Sequence, residues 1–247
     1  MSSETKVAFI TGGNRGIGLE TARQLGKQQG ITVAIGSRDL EKGNTVAEKL
    51  RAEGANVEVI RFDVTKSADY KEAYNYFDKK YGKLDILINN AGISKEGFDK
   101  PNNASFVSPA VLRETFDTNF FATIELTQVL LPLIKKAPEG RIVNLSSILG
   151  SLTLHSDPQS PIYGFKVLAY NSSKAALNSF TIHLAYELKD TKIKVNSAHP
   201  GWVKTDMGTD AAPMEIPEGA KTSVELATLP PSGPTGGYFH LGETLPW

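Results

Sequence analysis

Cysteine is absent from the 247 residues, which removes disulfides, thiolate metal sites and cysteine nucleophiles while leaving the cellular compartment open. An excess of charge of one sign is absent too, since Lys plus Arg and Asp plus Glu each number 27. Without a basic run, nucleic acid is not expected as a partner. No apolar run approaches the length of a membrane span. The first, Val7-Ala8-Phe9-Ile10, is too short for a signal-peptide core and lacks a cleavage pattern. No membrane association is expected, and a cytoplasmic location is the default. The four histidines, His155, His183, His199 and His240, share no metal-ligand spacing, so no metal is expected. Repeats, low-complexity tracts and linker-like composition are missing as well. What is present, 40% hydrophobic and 22% charged residues, suffices for a sizeable core beneath a polar surface. The chain reads as a single domain from 1 to 247.

The stretch Tyr170-Asn171-Ser172-Ser173-Lys174 runs into Ala175, Ala176, Leu177, Phe180 and Leu184, which recur at helical spacing. Tyr170 and Lys174 therefore stand one turn apart on one helix face. An ammonium fixed beside a phenol favours the phenolate. At an effective dielectric of ~20 and a separation of ~5 Å the interaction amounts to ~3 kcal/mol, or about two pKa units. The spacing thus predicts a tyrosine able to exchange its proton near neutral pH.

Upstream, a strand over 6–10 leads into Thr11-Gly12-Gly13-Asn14-Arg15-Gly16-Ile17-Gly18, after which Leu19, Ala22, Leu25 and Gly26 follow a helical period. A second strand over 31–35 completes a βαβ unit. Glycines at such a turn let the backbone approach a pyrophosphate, whose charge is stabilised by free amides and the positive helix end. Gly12, Asn14, Arg15, Gly16, Ile17 and Gly18 are therefore expected to bind a dinucleotide. The second strand ends in Gly36-Ser37-Arg38-Asp39. An acidic residue at the strand end would hold a free ribose hydroxyl, whereas a 2′-phosphate requires cations. Ser37 and Arg38 occupy that place and Arg15 can add a second charge, which points to NADPH/NADP. An NAD-linked enzyme working toward oxidation is the alternative.

Helix 40–53, strand 56–62, helix 67–80 and strand 84–88 continue the alternation. The class expected is α/β, a Rossmann-type doubly wound parallel sheet of about seven strands with helices on both faces and ligands at the strands' carboxyl ends. Those ends carry Asp63-Val64 and Asn89-Asn90-Ala91-Gly92. Asp63 is placed to accept from an adenine amino group and Val64 to pack on the ring. Asn90 and Ala91 lie where backbone must be fixed beside the cofactor, and Gly92 permits close approach. Each Asp or Asn also serves as an ordinary turn residue.

After a loop over 92–107, Ser108 and Pro109 open a long helix reaching 134, on which Leu112, Phe116, Asn119, Thr123, Leu126 and Leu130 form one stripe. Asn119 is thereby buried. Its amide must be satisfied by neighbouring backbone or by a water linked to Lys174. Strand 141–145 ends in Ser146-Ser147, only one of which can face the Tyr170 helix. A Ser- and Pro-rich loop over 151–168, a strand over 192–198, Pro200-Gly201-Trp202-Val203-Lys204-Thr205, a flap over 205–216, a helix over 217–229 and a strand over 238–241 follow. Ile148, Leu149, His155, Phe165, Trp202 and Met207 suggest an apolar substrate pocket.

Taken in order, T-G-x-x-x-G-x-G, Asp63-Val64, Asn89-Asn90-Ala91-Gly92, Asn119, Ser146-Ser147, Tyr170-x-x-x-Lys174 and Pro200-Gly201 resemble the short-chain dehydrogenase/reductases over essentially the whole chain. The glycine loop, Thr118-Asn119-Phe120-Phe121, Leu131-Pro132-Leu133-Ile134-Lys135, Pro200 to Met207 and Leu229-Pro230-Pro231 are similar to the carbonyl reductases of that family, which use NADPH. The resemblance implies a catalytic tetrad of Asn119, Ser147, Tyr170 and Lys174, and so selects the second serine. It implies that Lys174 binds the nicotinamide ribose and that Pro200, Gly201, Val203 and Thr205 touch the nicotinamide end. A small-molecule carbonyl or alcohol substrate follows, with a cofactor-sensing module that turns nothing over as the other class. Many relatives pair the long helix and the Tyr170 helix between subunits. The residues over 151–168 precede that second helix and can cover it, so a monomer is favoured over a homo-oligomer.

Overall fold

The computed structural model describes residues 5–96 and 104–247, so the expected loop over 92–107 lies partly outside the described residues. Strands β1 (Lys6–Ile10), β2 (Ile31–Ser37), β3 (Val57–Arg61), β4 (Ile86–Asn89), β5 (Arg141–Leu145), β6 (Lys194–Ala198), β7 (Tyr238–His240) and β8 (Glu243–Thr244) form one sheet in the order β3-β2-β1-β4-β5-β6-β7-β8. Pairings from β3 to β7 are all parallel. The eighth strand corrects the expected seven: β8 turns back antiparallel on β7 through Phe239 and Thr244. Two residues are too few to carry an alternation pattern.

Helices cover both faces because the strands are apolar on both. All seven residues of β2 are buried, as expected where crossover helices exclude water from both sides. Helices α1 (Gly16–Gly26), α2 (Leu40–Ala52) and α8 (Ile216–Ala227) place Ala22, Leu25, Ala47, Leu50 and Leu226 against Ile10, Ile35 and Val143. On the other face α3 (Ser67–Tyr81), α5 (Ala122–Ile134) and α7 (Leu168–Glu187) bring Phe77, Leu126, Leu130 and Leu184 onto Phe9 and Leu87. The order reverses between β1 and β4, the crevice where such sheets bind ligands. Among the described residues no helix is long and apolar enough to cross a membrane.

Two segments depart from the expected elements. The long helix is broken into α4 (Pro109–Phe116), capped by the Ser108 hydroxyl at 3.2 Å from the Ala110 amide, and α5, with a π-helical turn at Asp117–Phe121 between them. Asn119 sits within that turn. The loop over 151–168 contains a short helix α6 (Leu152–Ser156), which starts where the Ser151 hydroxyl accepts the Leu154 N–H at 3.2 Å.

Beneath the carboxyl edge runs a buried polar seam. The Asn89 amide nitrogen donates to Asn144 Oδ1 at 2.8 Å and to Thr127 of α5 at 3.1 Å. Asn144 donates in turn to Thr181 of α7 at 2.9 Å, and Thr181 shares a 2.8 Å bond with Ser197 of β6. The seam clamps α5 and α7 to three strands. Replacing Asn144 with leucine removes its links to both neighbours where water cannot substitute, a loss of about 2–4 kcal/mol. The expected outcome of Asn144→Leu is a urea midpoint lowered accordingly at unchanged m-value; an unmoved midpoint would show the seam to be dispensable.

Candidate active site

The glycine loop is shaped by backbone demands. Gly12 and Gly16 hold φ of +64° and +54°, a region that favours glycine. Gly18 is needed for closeness: a Cβ there would stand 2.6 Å from the Gly12 carbonyl and press on the Asn90 side-chain nitrogen. Asn90 earns that contact by donating to the carbonyls of Thr11 at 2.8 Å and Gly12 at 3.2 Å. The Thr11 hydroxyl accepts the N–H groups of Asn90 and Ala91, both at 3.0 Å. Thr11 was absent from the expected cofactor residues, though its place at the head of the glycine motif was a signal. The first turn of α1 carries no side-chain cap, since Arg15 at the N-cap position makes none. Its amides suit an anion, and the loop therefore fits a dinucleotide pyrophosphate.

At the far end of this groove, β2 closes with Ser37 buried and its hydroxyl donating to the Asp39 carbonyl at 2.7 Å. Arg38 is exposed and makes no ion pair among the described residues. Burial pushes the Asp63 carboxyl upward, but the Thr65 N–H and hydroxyl, then Arg38 and Lys66, hold it below its ordinary value. Arg38 is thus within electrostatic range of Asp63, and Val64 follows half-buried. Arg15 points elsewhere: its guanidinium lies 2.6 Å from Asp206 of the flap, both side chains largely exposed.

Ser147, Tyr170 and Lys174 converge on the carboxyl side of β5, all buried. The Ser147 hydroxyl faces the Tyr170 phenol and accepts the Leu149 N–H at 3.3 Å. The lowered phenol pKa expected from the Tyr170–Lys174 spacing is not what the geometry produces. Burial pushes the phenol up, and only the Ser147 hydroxyl draws it back. Lys174 Nζ lies 5.7 Å from the ring centroid and donates to the Leu145 carbonyl at 2.7 Å. Desolvation pushes its own pKa down to about 8, so it remains mostly charged at neutral pH.

The Asn119 amide is satisfied by backbone and by one side chain. Its oxygen accepts the Ile93 N–H at 2.8 Å, and its nitrogen donates to the Ile93 carbonyl at 2.9 Å and to Ser173 at 3.0 Å. Ser173 passes the contact to the Tyr170 carbonyl at 2.8 Å. Gly92 leaves space there, since a Cβ would stand 3.4 Å from both Asn119 Oδ1 and Lys174 Nζ. Glu96 is a further residue that the sequence reading missed. Its carboxylate accepts the Tyr170 N–H at 2.9 Å in the first turn of α7, where the N-cap Val167 provides nothing. No local pattern links positions 96 and 170.

Pro200, Gly201 (φ +90°), Val203 and Thr205 follow β6. The Thr205 methyl lies 3.6 Å from where a Gly16 Cβ would be, so the flap meets the glycine loop. The expected apolar pocket divides. Trp202, just ahead of the flap, and Met207 on it are exposed, with the indole N–H donating to the Gly208 carbonyl at 2.7 Å. Leu149 and His155 instead line a cavity of about 650 Å³ with Leu152, Lys166, Leu168 and Asn171. Neither Ser147 nor Tyr170 lines that cavity. Phe165 is half exposed and only its carbonyl, accepting from Asn171 at 2.8 Å, engages α7.

A doubly wound sheet with this edge defines a dinucleotide-dependent enzyme class, and the sequence model of the short chain dehydrogenase family matches residues 6–216. The chain belongs to that family and is an oxidoreductase. It is similar to carbonyl reductase [NADPH] 1 of Mus musculus, 33% identical over 284 aligned positions covering 100% of both chains. It is 32% identical to short-chain dehydrogenase/reductase 1 of Saponaria officinalis, over 99% of this chain and 97% of that one. Among solved structures, the NADPH-bound carbonyl reductase from chicken fatty liver superposes with a TM-score of 0.83 at 28% identity, covering 99% of this chain and 100% of that one. Salutaridine reductase from Papaver somniferum gives 0.80 at 30%, covering 95% and 99%.

The packing at Gly18 yields a direct test. A methyl group must displace the Asn90 side chain or the Gly12 carbonyl, at a cost of ~1–3 kcal/mol. Gly18→Ala is expected to weaken dinucleotide binding about tenfold or more, read by quenching of intrinsic fluorescence. Unchanged affinity would show that the Asn90 contact does not shape the loop.

Proposed function

We propose that the chain is an NADPH-dependent reductase of a small-molecule ketone, aldehyde or quinone carbonyl, working as a single subunit. The observation that carries the reading is the convergence of Ser147, Tyr170 and Lys174 at the edge where the glycine loop opens. The mouse relative bears NADPH in its name and the chicken enzyme's structure is NADPH-bound, which supports the cofactor choice.

A nicotinamide dinucleotide, when bound, would supply the hydride. Gly12, Asn14, Gly16, Ile17 and Gly18 would hold its pyrophosphate against the first turn of α1. Asn90, Ala91 and Gly92 would line the floor of the groove, Asp63 and Val64 would receive the adenine, and Arg38 would meet the 2′-phosphate. Ser37 supports the strand end from within its own turn, and Arg15 adds charge once released from Asp206. Pro200, Gly201, Val203 and Thr205 border the nicotinamide end.

Tyr170 gives its proton to the carbonyl oxygen. A phenol kept protonated by burial is in the state a donor needs. Its elevated pKa also makes it a weak acid, and the Ser147 hydroxyl, which draws that pKa back, lowers the cost of leaving a phenolate behind. Ser147 donates to the same oxygen as negative charge develops. Asn119 ties the backbone after β4 to α7 through Ile93 and Ser173, and the space kept by Gly92 between Asn119 and Lys174 suits a proton path for recharging the phenol.

Two measurements test this reading. Tyr170→Phe removes only the phenolic oxygen, so turnover of a carbonyl panel is expected to fall by about 10²–10⁴ with NADPH affinity retained. Activity near wild type would refute the assignment. Arg38→Asp sets a carboxylate against the 2′-phosphate and is expected to weaken NADPH by at least ~10-fold more than NADH in parallel titrations. Equal weakening of both would move the discrimination to another residue.

A further inference from the structure

The pairing of β5 with β6 carries the Ser147 side of the site toward the Pro200–Gly201 side, and it stops one residue short of both. The Ser146 N–H donates to the Ala198 carbonyl at 2.8 Å, and the register ends at Leu145 and Ala198. In a parallel ladder alternate residues of one strand donate, so the next donor is Ile148. Its N–H finds an imidazole instead of a carbonyl. Nδ1 of His199 accepts the Ile148 N–H at 3.1 Å and the Gly201 N–H at 3.3 Å.

An amide N–H only donates, so Nδ1 is an acceptor and the ring proton belongs on Nε2. His199 is 7% exposed. Its ring packs on that of His240 at 4.8 Å between centroids, and His240 Nδ1 donates to the His199 carbonyl at 2.9 Å. The His199 N–H completes the enclosure by donating to the Phe239 carbonyl at 2.8 Å. Burial, then the neighbouring His240, pushes the imidazole pKa down to about 3. The acceptor is therefore neutral and constant wherever the protein is folded and active.

We infer that His199 is a positioning residue, whose single acceptor atom sets the spacing between the Ser147 turn and the Pro200–Gly201 loop. This rests on the proposed carbonyl reduction, in which Ser147 holds the reacting oxygen and the Pro200–Gly201 loop borders the hydride donor. One atom bonded to both loops couples the two reacting positions. Hydride transfer is steeply sensitive to that distance, because reactive geometries lie within a few tenths of an ångström of contact.

Position of the acceptor, rather than polarity or bulk, is what the test must isolate. Asparagine places an oxygen near the site of Nδ1. Glutamine places it one bond further out, near Nε2, and leucine fills space with no acceptor. His199→Asn is expected to keep kcat within about threefold of wild type. His199→Gln and His199→Leu are expected to lose about tenfold or more in kcat, with the KM for NADPH little changed and a raised primary isotope effect from deuterated NADPH. Amide hydrogen exchange gives a readout without turnover: Ile148 and Gly201 should stay protected in His199→Asn and exchange rapidly in His199→Gln. If His199→Leu were the most active variant, or if glutamine protected both amides as asparagine does, the ring would be mere filling and the inference would fall. Wild-type inactivity toward every carbonyl, with the exchange pattern as expected, would instead refute the functional reading and leave the positioning role standing.

Discussion

The hydrogen-bonded seam from Asn89 through Asn144 and Thr181 to Ser197 is the contact on which the site's architecture depends. Apolar packing alone would let α5 and α7 slide along the sheet, because dispersion contacts have no preferred register. Directional bonds between buried amides and hydroxyls remove that freedom, since any shift leaves a donor unpaired in a medium without water. α7 carries Lys174 and Tyr170 about two and three turns before Thr181. The π-helical turn with Asn119 adjoins α5 one turn before Thr123 and two before Thr127. The placement of three reactive side chains thus follows from bonds made well below them.

A second constraint acts at the carboxyl edge itself. Parallel strands end together, and each end leaves amides and carbonyls that a following helix does not satisfy. Thr11 and Asn90 bond the glycine loop to the β4 end, Asn119 closes the backbone of Ile93, Lys174 takes the Leu145 carbonyl, and Glu96 takes the Tyr170 N–H. The candidate catalytic residues are therefore embedded among residues that complete backbone valences. Lys174 belongs to both groups, and its ammonium is oriented by a strand end.

Much of this was legible because it is written in local spacing. The glycine loop, the alternation of buried strands with helices and the Tyr170–Lys174 turn each depend on residues within a few positions of one another. The rest depends on tertiary neighbours. An added residue in the π-helical turn leaves the apolar stripe around Asn119 nearly intact, so the pattern reads as one straight helix. Helix α6 is only five residues long, below what periodicity can detect. The Tyr170 phenol was misjudged in direction because charge proximity can be read from a motif, whereas burial among strands and loops cannot. His155 and Leu149 shared a cavity with neither Ser147 nor Tyr170, since side-chain direction in a loop has no signature in sequence.

The ion pair between Arg15 and Asp206 sets the strength with which the flap rests on the glycine loop. Both side chains are mostly in water, so the bond contributes at most ~1 kcal/mol and weakens with salt. Thermal energy at room temperature is ~0.6 kcal/mol, so such a contact opens and re-forms without a substantial barrier of its own. Only the exposed ends of two long side chains separate, and no buried surface is uncovered there. The flap is consequently held to the glycine loop at this point by a catch rather than a lock.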